Sequence, residues 1–186
     1  MAKHPNRNEC YEILKEYGTP VHVIGHCKAV AAVAYRLGKA LNQSREEQLD
    51  LDLILAAGLL HDMARTEEEH GQVAADWCLE HGYAEEADII KVHMYYDLPA
   101  EETPITEIDL VCLGDRLSKE DRYVGLDERM EYVIAKAERA GKANARAIIL
   151  EKKAVARRLM DRIEDIIGVS IDHLMTGIDY ESIEQW

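Results

Sequence analysis

The stretch AAGLLHDMART, residues 56–66, joins a run of apolar residues to two adjacent polar side chains, His61 and Asp62, with Arg65 close behind. A run this apolar is typical of a helix buried in a protein core. Burying a histidine and a carboxylate is costly unless each finds a partner. The doublet therefore predicts that partner groups from elsewhere in the chain lie next to it.

The composition favours a single all-α domain. The chain has 186 residues, of which 47% are hydrophobic and 31% charged, with four prolines and no phenylalanine. Domains usually contain about 100 to 200 residues, so one domain accounts for residues 1–186. Plentiful leucine, isoleucine, alanine and valine favour helices over sheets. We expect a bundle of about seven to nine helices.

The charge balance restricts the class of partner. The formal net charge is -14, whereas a protein that follows a nucleic-acid backbone needs a basic face. We therefore expect no nucleic-acid polymer as a partner. A small phosphorylated substrate remains compatible with this charge if cations or metal ions are concentrated in one cleft.

The cysteines and the N-terminal segment predict a cytoplasmic protein that makes no membrane contact. The N-terminal segment MAKHPNRNECYEILKEYG lacks the apolar run of a signal peptide, and later apolar runs are too short to span a bilayer. The cysteines are widely spaced, form no C-x-x-C pair and are expected to be reduced thiols. They are Cys10, Cys27, Cys78 and Cys112.

Glycines, prolines and apolar periodicity predict the order of the helices. Gly18 ends a first short helix, and Thr19-Pro20 provides an N-cap and a first-turn proline for the second. The predicted helices cover about residues 8–17, 20–41, 45–64, 68–80, 84–95, 107–119, 128–141 and 142–167.

Several polar residues lie in apolar contexts along these helices. Asp115 follows Val111 by four residues and Ile108 by seven, so it shares their buried stripe. A metal ion would offset the cost of burying such a carboxylate. Nitrogen and oxygen ligands without thiolate suit manganese, iron, cobalt, nickel or zinc. The candidates are His26, His61, Asp62, His70, His93 and Asp115.

Each candidate also has a plainer interpretation. His26 could be a hydrogen-bonded core histidine, and His70 could begin a helix on a solvated acidic loop. His93 could lie on the surface. Asp115 could cap a helix or pair with Arg116. Taken one residue at a time, the sequence leaves these alternatives open.

The order His, His-Asp, His, His, Asp across five helices resembles the HD-domain superfamily of metal-dependent phosphohydrolases. The arrangement is most similar to small bacterial HDIG-type proteins, including HD-domain diadenosine-tetraphosphate hydrolases. The resemblance implies an all-α HD domain with a central metal site, on which C-terminal helices over about 128–167 pack or form a homodimer face. The matching segments, within about residues 19–123, are VIGHCKAVAAVAYRL, AAGLLHDMART, HGQVAADWCLEHGY, ADIIKVHMYYD and LVCLGDRLSKEDR.

The resemblance also implies a set of metal ligands. In subgroups with two additional histidines, the doublet aspartate bridges a second metal, which here assigns the bridge to Asp62 and the added ligands to His70 and His93. The implied cofactor is one or two ions of iron, manganese, cobalt, nickel or zinc, with magnesium possible. The positions that match the four ligands of the first metal are His26, His61, Asp62 and Asp115.

Two features depart from the family pattern. Arg65 stands where lysine is usual, which keeps a positive charge but removes an amine able to donate a proton. The interval from His61 to His70 is nine residues (70 - 61 = 9), which is shorter than in many family members. The loop between the doublet and His70 is therefore expected to be tight.

The implied chemistry is hydrolysis of a phosphoester or phosphoanhydride. Two ions about 3.5 to 4 Å apart can activate a water and hold a phosphoryl oxygen, and a single ion can perform a weaker version. Asp62 and Arg65 are the predicted catalytic residues. For Lys119 and Arg122, salt bridges with Glu120 and Asp121 are the alternative. The predicted phosphate-binding residues are Arg65, Arg116, Lys119 and Arg122.

Two other functions remain open from the sequence. One is a non-catalytic HD module that binds a nucleotide or a partner protein, although such a module has no need of a complete ligand set. The other is a structural bundle with core histidines. Aromatic side chains could stack on a base but are more often part of a core, and those concerned are Trp77, Tyr95 and Tyr96.

Overall fold

Residues 4–99 and 103–182 are described by the structure, a computed structural model. Within these ranges it contains nine helices and one two-stranded hairpin. The elements are α1 (Arg7–Tyr17), α2 (Val21–Ser44), α3 (Leu51–Leu60), α4 (His70–Glu80), α5 (Ala84–Val92), α6 (Glu107–Leu117), β1 (Ser118–Lys119), β2 (Arg122–Tyr123), α7 (Gly125–Arg139), α8 (Ala145–Ile167) and α9 (Ile171–Leu174).

The predicted all-α class is confirmed, and the hairpin is a small addition to it. Its strands are antiparallel, with Ser118 opposite Tyr123 and Lys119 opposite Arg122. Because of the hairpin, the helix predicted over about 107–119 ends at Leu117. In the described part of the chain, no helix combines the length and the apolar character needed to cross a bilayer.

The helix predicted over about 45–64 is shorter than expected at both ends. Asn42 fixes the loop before it, donating to the Leu49 carbonyl at 2.9 Å and accepting from the Leu49 N–H at 2.8 Å. Asp50 then caps α3 by accepting from two N–H groups of the first turn. After Leu60 the backbone bonds change to i+3 spacing, so the following residues form successive turns.

α2 runs through the centre of the bundle and separates two hydrophobic clusters. One cluster lies between α2, α6 and the C-terminal helices, and Leu37, Leu113 and Leu159 are fully buried there. The other lies between α1, α3 and α4, with Leu14 and Leu59 fully buried. α2 therefore has a position from which it can contribute to a site shared by several helices.

Glycines set the close approach of α2 to its two main neighbours. A Cβ atom at Gly58 of α3 would lie 2.8 Å from the Cα atom of Ala31, and one at Gly114 of α6 would lie 2.9 Å from the Val30 carbonyl oxygen. Both obstacles are backbone atoms of α2, which cannot move without shifting the helix. These glycines are required for the spacing of α2, α3 and α6.

We expect Gly58→Ala to destabilise the fold by about 1 to 3 kcal/mol, because it forces two packed helices apart. Gly38→Ala is the matched control. A Cβ atom there would meet only the ends of flexible side chains, those of Ile54, Leu51 and Leu110, so the stability should stay within about 1 kcal/mol of wild type after the gain in helix propensity. Chemical denaturation measures both values. Equal stability of the two variants would contradict the proposed role of Gly58.

An ionic cluster attaches the start of the described chain to the bundle. The His4 side chain is 7% exposed, and its Nδ1 atom lies 2.6 Å from Glu86 Oε1. Its Nε2 atom lies 3.5 Å from Asp50 Oδ2 and 3.7 Å from Glu85 Oε2. Burial opposes the charged form of His4, but the three carboxylates more than compensate and raise its pKa.

This arrangement predicts a pH-dependent contribution of His4 to stability. Because its folded-state pKa is raised, the contribution is complete below the ordinary value of about 6.5 and is lost as pH rises through the folded-state pKa. The stability difference between wild type and His4→Gln should therefore be larger at acidic pH than at alkaline pH. Denaturation of both proteins across this range measures it. In a Glu86→Gln background the pH dependence should shrink, and an unchanged dependence would refute the assignment.

Candidate metal centre

The structure brings the six predicted ligand side chains together in the interior, where several helices meet. His26 comes from α2, the doublet follows α3, His70 begins α4, His93 follows α5, and Asp115 lies in the last turn of α6. Five parts of the chain that are distant in sequence thus meet at one point. The short loop between His61 and His70 does not prevent this meeting.

The doublet is held at the end of a completely buried helical segment. Residues 54–60 of α3 are buried throughout, and His61 and Asp62 remain only 1% and 4% exposed in the turns that follow. Thr19 fixes these turns by donating from its hydroxyl to the Met63 carbonyl at 2.8 Å. The apolar run therefore places the two polar side chains in the interior rather than at the surface.

Asp62 belongs to two groups of potential metal ligands. His26, His61 and Asp62 each offer a ligand atom within 4.8 Å of the others, and so do Asp62, His70 and His93. Asp62 Oδ1 lies 3.1 Å from His70 Nε2 and 3.5 Å from His93 Nε2, whereas Asp62 Oδ2 lies 3.7 Å from His61 Nε2. The two oxygens of one carboxylate therefore face different groups of imidazoles.

Asp115 adjoins the first of these groups. Its Oδ1 atom lies 3.1 Å from His26 Nε2 and accepts a hydrogen bond from Arg129 Nη2, also at 3.1 Å. The Asp115 side chain is 26% exposed, and that exposed surface faces the neighbouring cavity. It is in a position to complete a ligand set with His26.

Backbone carbonyls orient three of the imidazole rings. The Nδ1 atom of His61 lies 2.8 Å from the Gly58 carbonyl oxygen, and that of His93 lies 2.6 Å from the Ile90 carbonyl oxygen. His26 Nδ1 lies 3.1 Å from the Glu120 carbonyl oxygen. Since a carbonyl only accepts, these bonds assign a ring proton to Nδ1, which leaves Nε2 of neutral His61 and His93 with a lone pair facing the centre, whereas His26 Nε2 faces the Asp115 carboxylate. Metal-binding histidines are held in this way.

The centre contains buried polar atoms without hydrogen-bond partners in the described part of the chain. They are His61 Nε2, His93 Nε2 and Asp62 Oδ1. Unsatisfied buried polar atoms are rare in proteins, and three of them facing one another call for a bound group. Imidazole nitrogens with carboxylate oxygens are suitable ligands for a divalent transition metal. The residues present therefore fit a metal ion.

The charges of the centre favour ionised carboxylates. Burial opposes ionisation of Asp62, but His61, His70, His93 and Arg65 together hold its pKa well below the usual range. Burial likewise opposes ionisation of Asp115, yet its neighbouring cationic groups also lower its pKa. Both carboxylates are consequently charged at neutral pH and available to a cation.

The pKa values of three imidazoles in the centre shift in different directions. Burial lowers the pKa of His61 to about 4, so this ring is neutral near pH 7. Burial also disfavours the charged form of His26 and of His93, but the nearby carboxylates of Asp115 and Asp62, respectively, raise their pKa values. Protons therefore compete with a metal for the Nε2 atoms of His26 and His93, as expected where metal binding releases protons.

Arg65 lies at the open side of the second group. Its Nη1 atom is 3.6 Å from Asp62 Oδ1 and donates a hydrogen bond to His70 Nε2 at 3.0 Å. The same atom lies 3.9 Å from the sulfur of Met94. Because an arginine only donates, His70 offers its Nε2 lone pair in this contact. Binding of an ion by His70 requires Arg65 to release that lone pair.

The structure separates the other predicted phosphate-binding residues. Arg116 lines the cavity and donates to the carbonyls of Cys112 and Tyr96, at 3.0 and 2.5 Å. Lys119 instead forms an ion pair with Glu128 at 3.1 Å, and neither Lys119 nor Arg122 lines the cavity. Arg65 and Arg116 are thus brought to the site, whereas Lys119 and Arg122 are not.

The aromatic candidates also lie outside this cavity. Trp77 stacks on His81 with ring centroids 3.7 Å apart, and the Tyr96 hydroxyl donates to Asp109. Tyr95 is 79% exposed and does not line the cavity.

Two contributors to the centre were missed by the sequence argument. The Arg129 guanidinium donates to both the backbone carbonyl and the carboxylate of Asp115. The backbone carbonyl of Glu120 accepts from His26 Nδ1. Glu120 has a left-handed backbone, with φ 54°, in the turn of the hairpin. A signal for Arg129 exists, because it lies between the buried residues Leu126 and Met130 on α7. No pattern in the sequence identifies a backbone carbonyl.

A cavity of about 570 Å³ opens directly from the centre. The walls next to the ligands are formed by His26, Asp62, His93, Asp115 and Arg116. This volume is sufficient for a small-molecule ligand, since such pockets usually measure about 300 to 1,000 Å³. The candidate metal centre is therefore accessible to a substrate.

Comparison with known proteins gives a family, and the matching curated proteins include a partial relative. The HD domain model matches residues 23–164, a range that includes all six ligand candidates. The tRNA (cytidine(56)-2'-O)-methyltransferase of Thermoplasma volcanium is 29% identical over 102 residues, which are 53% of this chain and 28% of that protein. The chain thus matches little more than a quarter of that relative's length. No solved structure matches.

Proposed function

Because the chain belongs to the HD-domain family, we propose that it is a metal-dependent phosphohydrolase acting on a phosphoester or phosphoanhydride bond of a small, nucleotide-type or other phosphorylated metabolite. The observation that carries the proposal is the position of Asp62. Its carboxylate is shared by two groups of imidazoles at the inner end of a substrate-sized cavity. HD domains are generally metal-dependent hydrolases, and this arrangement supplies the ligands.

The proposed centre holds two divalent ions. The first would be held by His26, His61, Asp62 and Asp115, and the second by Asp62, His70 and His93. When bound, such ions polarise a phosphoryl oxygen and lower the pKa of a water molecule toward neutrality. Iron, manganese, cobalt, nickel and zinc suit the nitrogen and oxygen ligands, and magnesium is a weaker match.

The chain's own cations are proposed to bind the phosphoryl group. Arg65 lies beside Asp62, and Arg116 and Arg129 line the cavity beside Asp115. Guanidinium groups bind phosphate oxygens through paired hydrogen bonds and stabilise charge that develops during the reaction. The phosphoryl group would therefore lie between the metal ligands and these arginines.

Hydrolysis breaks the bond from phosphorus to the leaving oxygen and forms a new bond to the oxygen of water. The attacking water releases a proton to solvent, and the leaving oxygen keeps the electron pair of the broken bond and takes up a proton. Arg65 stays protonated in proteins, so it is not the proton donor that a lysine could be. We propose that this proton comes from solvent and that Arg65 binds phosphate only.

The metal content of variants tests the two-ion centre. We expect about two ions per chain in the wild type and about one in His93→Ala, because that change removes a ligand of the second ion only. Asp62→Asn should lose both ions. His81→Ala is the control, since His81 stacks on Trp77 outside the centre. Elemental analysis of the purified proteins gives the counts. An unchanged count in His93→Ala would exclude His93 as a ligand.

Turnover tests the hydrolase assignment. The metal-loaded protein is assayed for release of product from nucleotides, dinucleoside polyphosphates and generic phosphoesters, with manganese, iron, cobalt or magnesium. We expect hydrolysis of at least one class and a loss of at least about 100-fold in Asp62→Asn, with His81→Ala unaffected. Bound metal without any turnover would refute a hydrolase. Thermal stabilisation by a nucleotide in that case would favour the non-catalytic binding module.

A further inference from the structure

The cavity continues well beyond the metal centre along the C-terminal helices. Arg129, Val133 and Lys136 of α7 and Ala140, which caps its C-terminus, all line it and follow one another at steps of four, three and four residues. Such spacing defines one face of a helix. From Arg129 to Lys136 the helix rises by about 10 Å, so the lining extends about that far from Asp115, which Arg129 contacts.

The charge of this lining is opposite to that of the whole chain. Among the described residues, six of the chain's 22 lysines and arginines line the cavity, against three of its 36 aspartates and glutamates. Two of these three acidic residues, Asp62 and Asp115, are candidate metal ligands. The cations are Arg65, Arg116, Arg129, Lys136, Lys142 and Lys152. A cavity of this kind attracts anions into an otherwise acidic protein.

Two lysines lie at the end of the cavity that is farther from the metal centre. Lys136 lies near the end of α7, and Lys142 lies in the following turn. Lys152, on α8, lies nearer the metal centre, since it pairs with Asp97 at 3.3 Å and the adjacent Lys153 pairs with Asp127 in the first turn of α7. For Lys136 and Lys142, no carboxylate within residues 4–99 or 103–182 forms an ion pair with the ammonium group. These two charges are therefore available to a ligand.

The cavity wall between the metal centre and the distal lysines is largely apolar. Met130, Val133, Ala137 and Ile149 line the cavity between the arginines at the metal centre and the distal lysines. Tyr132 adds an aromatic ring, with Arg129 5.8 Å from its centroid. A ligand that fills the cavity therefore meets positive charge, then apolar surface, then positive charge again.

We propose that Lys136 and Lys142 form a distal subsite for a second anionic group of the substrate. The substrate is then an elongated molecule with two anionic groups about 10 Å apart, joined by an apolar or flat spacer. One end supplies the phosphoryl group that is hydrolysed, and the other is held by the lysines. The assignment of the reacting end rests on the proposed hydrolase function.

Such a subsite affects which substrate is preferred more than it affects the bond-breaking step itself. Binding energy from a remote part of the substrate orients the reacting group, so molecules that lack this part react less efficiently. The metal centre is built by α2 to α6, whereas the distal lysines come from α7 and the turn that follows it. Changes in the C-terminal helices can therefore change the preferred substrate without altering the ligands.

Two matched probes test the subsite without any turnover. Octane bisphosphonate carries a phosphonate at each end of an eight-carbon chain, whereas octylphosphonate carries only one. We expect the metal-loaded wild type to bind the bisphosphonate at least about tenfold more tightly in calorimetry. In Lys136→Ala/Lys142→Ala this advantage should disappear while the affinity for octylphosphonate stays unchanged.

The control variant removes the same number of charges elsewhere. Lys15→Ala/Lys153→Ala lies outside the cavity and should retain the preference for the bisphosphonate. Lys136→Gln/Lys142→Gln preserves more of the side-chain stems and should behave like the alanine pair, with folding checked by thermal denaturation. Equal binding of the two probes by the wild type, or a preference that survives in both distal variants, would overturn the subsite.

The outcomes separate this proposal from the proposed function. Calorimetry does not depend on catalysis, so a protein that hydrolyses nothing can still show the bisphosphonate preference. That result would retain the distal subsite and refute the hydrolase. Hydrolysis of small phosphoesters without any preference for the bisphosphonate would retain the hydrolase and refute the distal subsite.

Discussion

The burial of the Asp62 carboxylate is the constraint on which the rest of the site depends. Its side chain is almost fully enclosed, so its charge requires compensation from groups held in place around it. Arg65, His70 and His93 supply that compensation. Since Arg65 follows α3, His70 begins α4 and His93 follows α5, the ends of these three helices must meet at one point. The arrangement of these helices is thus tied to one charged group.

Close helix packing provides the accuracy that this meeting needs. Gly58 lets α3 touch the backbone of α2 one turn before the doublet, and Gly114 does the same for α6 immediately before Asp115. A larger residue at either position would move a ligand relative to His26 on α2. Because the interior is close-packed, such a shift cannot be absorbed locally. The small residues next to the ligands therefore serve the centre as well as the core.

Much of the fold and the grouping of the site could be predicted from the sequence, for identifiable reasons. Apolar periodicity located the helices, and the His-Asp doublet after an apolar run located the centre. What could not be predicted depends on contacts between distant segments. Arg129 contacts Asp115 across 14 residues, and the carbonyl of Glu120 orients His26 across 94. Neither contact leaves a periodic signal. The bounds of the helices also depend on local caps, such as Asp50, which makes α3 begin later than predicted.

The distribution of charge relates the metal centre to α7 and α8, the helices that contribute no residue to the His, His-Asp, His, His, Asp pattern. An acidic surface repels anionic molecules, so the cationic cavity must overcome this repulsion over a short range, where counterions screen least. Arginines beside the candidate metal ligands achieve this at the inner end, and lysines at the end of α7 and in the following turn extend the positive potential outward. A monoanion would be attracted at only one end of this lining. If the distal lysines form the proposed subsite, a molecule anionic at both ends is attracted along its full length, and this difference would favour elongated substrates before any chemistry occurs.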